Sequence, residues 1–462
     1  EHPLVQFIEP IGPPPATEND EATTDHRINI LYMENYNAAR KYRADNINVV
    51  LGDDGYVEHI DLKNRVLENS AVQGTSHGDH TAGIIAGAGN LDPVLRGQAP
   101  GANLIVWDYW DDLSEYPQMY TVKNARVTSH SLGQSCNQGY DTYARESDDQ
   151  IYTYPLLNHV HSAGNSGNSS CGGFSAGWRT ITGGYKAGKN VIACANVDKQ
   201  DVVNYSSSKG PTKDGRIKPD IAAVGTNVVS TQPNNSYASL TGTSMACPAV
   251  AGTLAVLNGA FTQLKGSEPA GGLLKAILMN TADDIGNAGP DFTYGWGREN
   301  ARRAIECIEG TRYFSSSVDQ GNKNNHTITI PPNVAVAKIM VYWVDYPGTA
   351  GASLALVNDL DIFVKSPSNI KYKPWLMDAG NNPTAASCSA PASKGADHKN
   401  NVEQVQLDYP ASGEYKLQVK GNTVPEGPQT YYVVYEFLYN DNIVVTYPFG
   451  GESLVPGEIR RS

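Results

Sequence analysis

The sequence predicts an α/β domain built on a parallel sheet, followed by a second, all-β domain of the jelly-roll kind. Three observations carry this. From about Ile28 to Cys307, short β-rich runs alternate with longer helical segments, and such alternation implies βαβ units whose apolar strands are covered on both faces. Beyond Thr311 only short alternating stretches occur, separated by Gly, Pro and Asn turns, which implies antiparallel sheets. The 462 residues are 40% apolar and 18% charged, with 45 Gly, 27 Pro and 26 Tyr. That mix supports a sizeable core and excludes wholesale disorder, collagen and coiled coil.

In chain order, residues 1–25 contain Pro10, Pro13, Pro14 and Pro15 and are expected to form an extended N-terminal arm, because proline cannot sustain a helix. Strands are predicted at 47–51, 102–107, 125–130, 156–162 and 191–195, and helices at 249–261 and 273–281. These elements define a first domain over 26–312. The alternating stretches 326–330, 338–344, 361–364, 402–407, 415–419 and 431–437 define the second, over 313–440. Residues 441–462 read as a linker or the opening strand of a further module.

Net charge is −13, from 35 basic and 48 acidic residues, which repels polyphosphate and anionic lipid at long range. Nucleic acid is therefore not an expected partner. Nor is a membrane, since Gly, Asn, Asp or Lys interrupts every apolar run before it reaches the roughly 20 residues that span a bilayer. The chain opens Glu1-His2-Pro3, and a segment is expected to have been removed upstream. Of six cysteines, Cys136 and Cys171 lie in polar, loop-like surroundings and are the two placed to pair. Cys194 and Cys247 sit in apolar runs as buried small hydrophobes.

Four polar clusters stand just after an apolar strand or at the opening of a helix, where parallel sheets present ligand-binding groups. The first is Val49-Val50-Leu51-Gly52-Asp53-Asp54-Gly55. Asp53, at a strand's C-terminal end, is placed to accept a hydrogen bond from a histidine, although Asp-Asp-Gly alone is a common turn. The second, Ser76-His77-Gly78-Asp79-His80-Thr81-Ala82-Gly83, opens a helix with small residues at helical spacing. His77 at its mouth is a natural general base, because an unperturbed imidazole titrates near 6.5. His77 and His80 also stand three apart, as a metal pair would, but no third ligand follows at sensible spacing. His80 is read as structural.

The third cluster, Leu240-Thr241-Gly242-Thr243-Ser244-Met245-Ala246-Cys247-Pro248, runs into an apolar helix. Ser244 then lies at a helix N-terminus, where free N–H groups favour a developing oxyanion. On local sequence alone an N-cap serine is the commoner explanation. The fourth, His161-Ser162-Ala163-Gly164-Asn165-Ser166-Gly167, ends a strand with an Asn between small residues. Asn165 is either a turn residue or an amide donor to an oxyanion.

Taken together, in the order Asp, His, Asn, Ser, these clusters resemble the subtilisin-like serine proteases. The resemblance covers the whole α/β region. It includes Ser131-Leu132-Gly133, Lys218-Pro219-Asp220-Ile221 and Tyr294-Gly295-Trp296-Gly297. The β-rich part, with Leu356-Val357-Asn358-Asp359-Leu360-Asp361 and Asn400-Asn401-Val402-Glu403, resembles the C-terminal jelly roll of the oxidatively stable alkaline subtilases. Two residues depart from the pattern. Asp79 stands where the family has Thr and Thr81 where it has Val, and both flank the base.

The resemblance implies that Ser244 is the nucleophile, His77 the general base and Asp53 the group that orients the imidazole, with Asn165 in the oxyanion hole. A serine hydroxyl needs such a base, and the base needs a third group to hold its tautomer. Ser131, Leu132 and Gly133 are expected to pair with an extended peptide by main-chain hydrogen bonds. Gly164 and the loop at Gly183 are expected to line the pocket for the residue before the cut. The implied protein is a secreted serine endopeptidase that acts on polypeptide without a catalytic cofactor. It is expected to be a monomer, freed of an inhibitory propeptide.

Asp345, Asp359 and Asp361, with Asn358 and Asn401 as carbonyl donors, form a candidate structural calcium site, hard oxygen ligands near strand ends. They also read as solvated strand and loop residues. Two rival readings remain at this level. One is an inactive scaffold binding protein or carbohydrate through the β-domain, against which the intact set of Asp53, His77, Asn165 and Ser244 speaks. The other is an acid-acting serine-carboxyl peptidase, which would carry carboxylates in place of His77 and Asn165.

Overall fold

The computed structural model describes residues 18–32, 41–54, 57–70, 75–108, 116–133, 136–174 and 176–440. The expected module at 441–462 lies outside the described residues, as does most of the expected arm. Residues 18–25 do not continue that arm. They form helix α1 (Glu18–Asp25), because residues 16–25 hold no proline and Ala22 is buried against the domain.

Seven strands, β1 (Asn48–Asp53), β2 (Val66–Asn69), β3 (Asn103–Asp108), β4 (Ala125–His130), β5 (Asn158–Ser162), β6 (Ile192–Val197) and β7 (Ile221–Val224), form one sheet in the order β2-β3-β1-β4-β5-β6-β7. Every pairing in it is parallel. Their residues alternate between two apolar layers. Val49, Leu51, Leu104 and Val106 face the main core, while Val50, Ile105 and Trp107 face a smaller one on the other side. This is the predicted doubly covered sheet. Helices α2 (His77–Ala86) and α5 (Thr243–Lys265) fill the main core side, with α3 (Tyr116–Thr121) and α4 (Thr142–Thr153) elsewhere around the sheet. The 23-residue α5 is long and apolar enough to cross a bilayer by length and composition, yet it lies buried among strands and helices.

Strand β7 was not foreseen, because Ile221–Val224 is only four residues long and follows a proline-rich connector. An antiparallel hairpin, β8 (Val228–Gln232) and β9 (Ser236–Leu240), leads into α5. Helices α6 (Gly271–Asn280) and α7 (Ala301–Glu309) close this part.

The remainder is the expected all-β part. Strands β10 (Tyr313–Val318), β11 (Lys323–Ile330), β12 (Val334–Tyr342), β13 (Asp359–Lys365), β14 (Lys371–Tyr372), β15 (Trp375–Leu376), β16 (Ser393–Lys394), β17 (Val402–Asp408), β18 (Gly413–Thr423) and β19 (Gln429–Tyr439) follow, with the short helix α8 (Ala385–Cys388) between β15 and β16. Two four-stranded antiparallel sheets, β10-β19-β12-β17 and β11-β18-β13-β14, enclose a shared apolar core. Much of the outer face of the first sheet is covered. Met340, Tyr342 and Val434 join the main core of the α/β part, and a Cβ on Gly272 of α6 would clash with Val344, Tyr432 and Tyr342.

Candidate active site

In an open parallel sheet, ligands bind beyond the strands' C-terminal ends at the point where strand order reverses. Here that point lies between β1 and β4. From β1 the chain moves out to β2 and back to β3 on one side, then passes to β4 and onward on the other. Gly52 pairs with His130 across β1 and β4, so Asp53 and Ser131 are the next residues on two adjacent strand ends, roughly 4.8 Å apart in the sheet.

Each of these two positions holds a second residue. The buried Asp53 Oδ1 receives His77 Nδ1 at 2.6 Å, and His77 is the first residue of α2. Its other oxygen, Oδ2, accepts the Thr81 hydroxyl at 2.9 Å. The Asp54 N–H also donates to Oδ1, at 2.8 Å. On the neighbouring strand end, Ser131 Oγ donates to the Ser244 carbonyl at 2.9 Å, and Ser244 Oγ points to the Ser131 carbonyl at 3.5 Å. The reason lies in α5. Proline has no N–H, so Pro248 leaves the carbonyl four residues earlier, that of Ser244, without its helical partner. Ser131 fills the gap.

The His77 ring is part-exposed and titrates above 6.5. Burial opposes its protonation, but the hydrogen bond and charge of Asp53, with Asp54 behind it, outweigh that penalty. His80 behaves differently. Its Nε2 reaches the Val228 and Ala238 carbonyls, both at 3.0 Å, and burial pushes its pKa down to about 4. It pins α2 to the β8–β9 hairpin, as the structural reading of His80 expected. Asp79 is buried beside it and pushed up to about 6 by loss of water.

Asn165 follows the end of β5 and is exposed. Its Oδ1 accepts from the Thr243 N–H at 3.0 Å and the Thr243 hydroxyl at 3.1 Å. An amide held by its oxygen has its NH₂ free to donate, and this one lies beside Gly242 and Ser244 at the start of α5. Leu132 and Gly133 continue β4 past the sheet, and among the described residues a Cβ on Gly133 would meet nothing within 4 Å. The Ser162 hydroxyl joins this segment to the end of β5 through the Leu132 carbonyl, at 3.3 Å. Gly164 is buried with φ +103°, and Gly183 is buried in the loop before a short turn at Tyr185–Ala187.

The cation-site residues separate. Asp345 is not free to bind calcium: its carboxylate is fully buried against the Lys189 ammonium and accepts the Val357 and Asn358 N–H groups at 2.9 and 2.8 Å. A buried carboxylate already neutralised by a lysine has no charge left for a metal. Asn358 Oδ1 accepts the Glu426 N–H at 3.1 Å, while Asn401 uses its Nδ2 to donate to Asn190 and Trp343. Asp359 and Asp361 do stand together with His398, near enough to share an ion. Asp359 Oδ2 accepts from His398 at 2.8 Å and Asn422 at 2.9 Å; among the described residues neither aspartate's buried Oδ1 has a hydrogen-bond partner, although the His398 ring lies 3.7 Å from that of Asp361.

Three contributors escaped the sequence reading. Thr81 was noticed as a departure beside the base, not as a donor to Asp53. Thr243 gave no signal. Ser131 was assigned main-chain contacts only, although Pro248 four residues after Ser244 was a legible sign that the serine's carbonyl needs an outside donor. Cys136 and Cys171 are joined, as expected, with Cα atoms 5.9 Å apart, while Cys194 and Cys247 are free and buried.

Residues 44–297, over half of the chain, match the model of the subtilase family. Subtilisin DY of Bacillus licheniformis is 30% identical over 286 residues, covering 58% of this chain and 94% of that protein. Two proteins of Dictyostelium discoideum, both called serine protease/ABC transporter B family proteins, are also similar. TagB is 26% identical over 305 residues, 50% of this chain, and tagD is 23% identical over 516 residues, 90% of this chain. The chain spans 16% and 26% of their respective lengths. With the seven-stranded parallel sheet and the polar cluster at its reversal point, these matches show that the chain belongs to the subtilase family of subtilisin-like serine endopeptidases.

Proposed function

We propose that the chain hydrolyses peptide bonds through Asp53, His77 and Ser244 by way of an acyl-enzyme. The observation that carries this is the 2.6 Å His77–Asp53 hydrogen bond, held on the strand end adjacent to the one that grips Ser244. Asp53 fixes the proton on Nδ1, which leaves Nε2 as the basic nitrogen. As Ser244 Oγ attacks the carbonyl carbon, Nε2 takes its proton and Asp53 stabilises the resulting imidazolium. The tetrahedral intermediate expels the amine when His77 returns that proton to it. Water then repeats the sequence on the acyl ester. The Asn165 amide and the Ser244 N–H at the start of α5 donate to the oxyanion, where charge develops.

The substrate class is extended polypeptide. The backbone at 131–133 runs on beyond the sheet, which suits pairing with a peptide strand. The Cys136–Cys171 bridge supports an oxidising, extracellular setting. Asp359 and Asp361 fit a structural calcium ion, since two buried oxygens without a hydrogen bond would gain a hard cation, His398 facing Asp361 only at 3.7 Å. Catalysis needs no part of it.

A fluorophosphonate probe, followed by mapping of the labelled residue, tests the assignment. The expected label is on Ser244, and Ser244→Ala should abolish both labelling and turnover while keeping the fold. Labelling of another residue, or full turnover by the variant, would overturn it.

A further inference from the structure

Lys186 is a buried lysine with no visible duty. It sits on the turn at Tyr185–Ala187, next to Gly183 and Gly184, and is only 5% exposed. A buried ammonium is costly unless it is paired, and Nζ here has neither an ion-pair partner nor a hydrogen-bond acceptor among the described residues. The nearby carboxylate, Asp141, spends its oxygens on the Ala144 and Gly184 N–H groups. Burial pushes the lysine down to about 8, with the Asp141 charge opposing it, so the ammonium remains the main form at neutral pH.

Its position gives it a duty. Nζ lies 2.9 Å from the point a Cβ on Gly164 would occupy, and Gly164 immediately precedes Asn165. The Ser162 hydroxyl ties the segments 131–133 and 162–165 together, and on the peptidase reading these are the walls between which the side chain before the scissile bond would enter. Space is open beside Gly133 on one wall. On the other, Gly164 has no side chain to shield the ammonium. The Tyr185 ring, stacked on His161 with centroids 5.5 Å apart, holds the turn in place. His161 itself stays neutral, because burial drives its pKa well below 6.5.

We propose that Lys186 is a specificity-determining residue that floors the pocket for the residue before the cut, and that it selects an acidic side chain, glutamate above all. The inference rests on the peptidase reading given above. A glutamate carboxylate supplies the partner the ammonium lacks, while glutamine, of the same shape, supplies only a neutral oxygen. Both side chains can accept a hydrogen bond from the ammonium, and only glutamate adds an opposite charge in a site short of water, so glutamate should be favoured over glutamine by roughly 10-fold or more in kcat/KM.

The test compares succinyl-Ala-Ala-Pro-Xaa p-nitroanilides with Glu, Gln, Leu and Lys at Xaa, with rates normalised to fluorophosphonate-titrated sites. The wild-type chain should show the stated Glu:Gln ratio and cleave the Lys peptide most poorly. Lys186→Met should bring that ratio near one, and Lys186→Glu should turn the preference towards Lys. A wild-type Glu:Gln ratio of one or below overturns the proposal without reference to any variant, as does a ratio that survives Lys186→Met. Cleavage of none of the four peptides sinks the peptidase reading itself, and this proposal with it.

Discussion

The Thr81 hydroxyl bonds the one oxygen of Asp53 that His77 does not use. It also reaches the Gly78 carbonyl at 3.1 Å, so it ties the carboxylate to the first turn of α2. Thr81→Val removes a donor that spreads the Asp53 charge. The remaining charge then holds the imidazolium more strongly. The expected outcome is a 2- to 10-fold lower kcat/KM, from a hydrogen bond contributing about 0.5–1.5 kcal/mol, with the acid limb of the pH profile moved upward. The wild-type limb has its own prediction. The active base is neutral imidazole, and Asp53 raises the His77 pKa, so activity should rise through a midpoint above 6.5. A pH–kcat/KM profile with its midpoint below that value would remove the assigned balance of forces.

At the scale of the element, α5 begins with a defect that the site uses. Pro248 withholds one helical hydrogen bond, and the end of β4 replaces it through Ser131 Oγ. Strand end and helix start are thereby fastened at the residue that must be placed within a few tenths of an ångström. A double-mutant cycle separates this from generic packing. Ser131→Ala should cost about 1 kcal/mol in the wild-type background and less when Pro248→Ala has restored the N–H, as read by denaturant melts. Equal costs in both backgrounds would show that the carbonyl never needed Ser131.

At the scale of the molecule, the β part is bolted to the α/β part by apolar and ionic contacts. Arg303 of α7 forks onto both oxygens of Glu436 in β19 and also meets Asp283. Lys189 and Asp345 are fully buried across the same seam. Breaking such a pair leaves one charge stranded, typically at about 3–5 kcal/mol, whereas removing both is far milder. Asp345→Asn should lower the melting temperature sharply, and adding Lys189→Met should recover much of the loss; no recovery would argue against a mutually dependent pair. Chelation tests the other aspartates. Removing calcium should lower the melting temperature through loss of ligand binding to the folded state while fluorophosphonate labelling of Ser244 persists. An unchanged melt, or loss of that effect only on mutating residues other than Asp359 and Asp361, would refute the site.

The parallel α/β sheet and the antiparallel β part were legible in the sequence, because strand-length runs with or without helical ones between them leave few arrangements that bury them. The four catalytic candidates were legible for a related reason: each stands at a strand end or helix start, where parallel sheets always present polar groups. What the sequence left open was every pairing set by distant backbone. Asp345 and Asp359 look alike as acidic residues near strand ends, and only the fold delivers Lys189 to one and His398 to the other. Nothing in the local sequence marks Lys186, because only packing makes it a largely buried lysine. A side chain's identity is local, but its solvent and its counter-charge arrive from residues a hundred or more positions off, and these set what its charge is for.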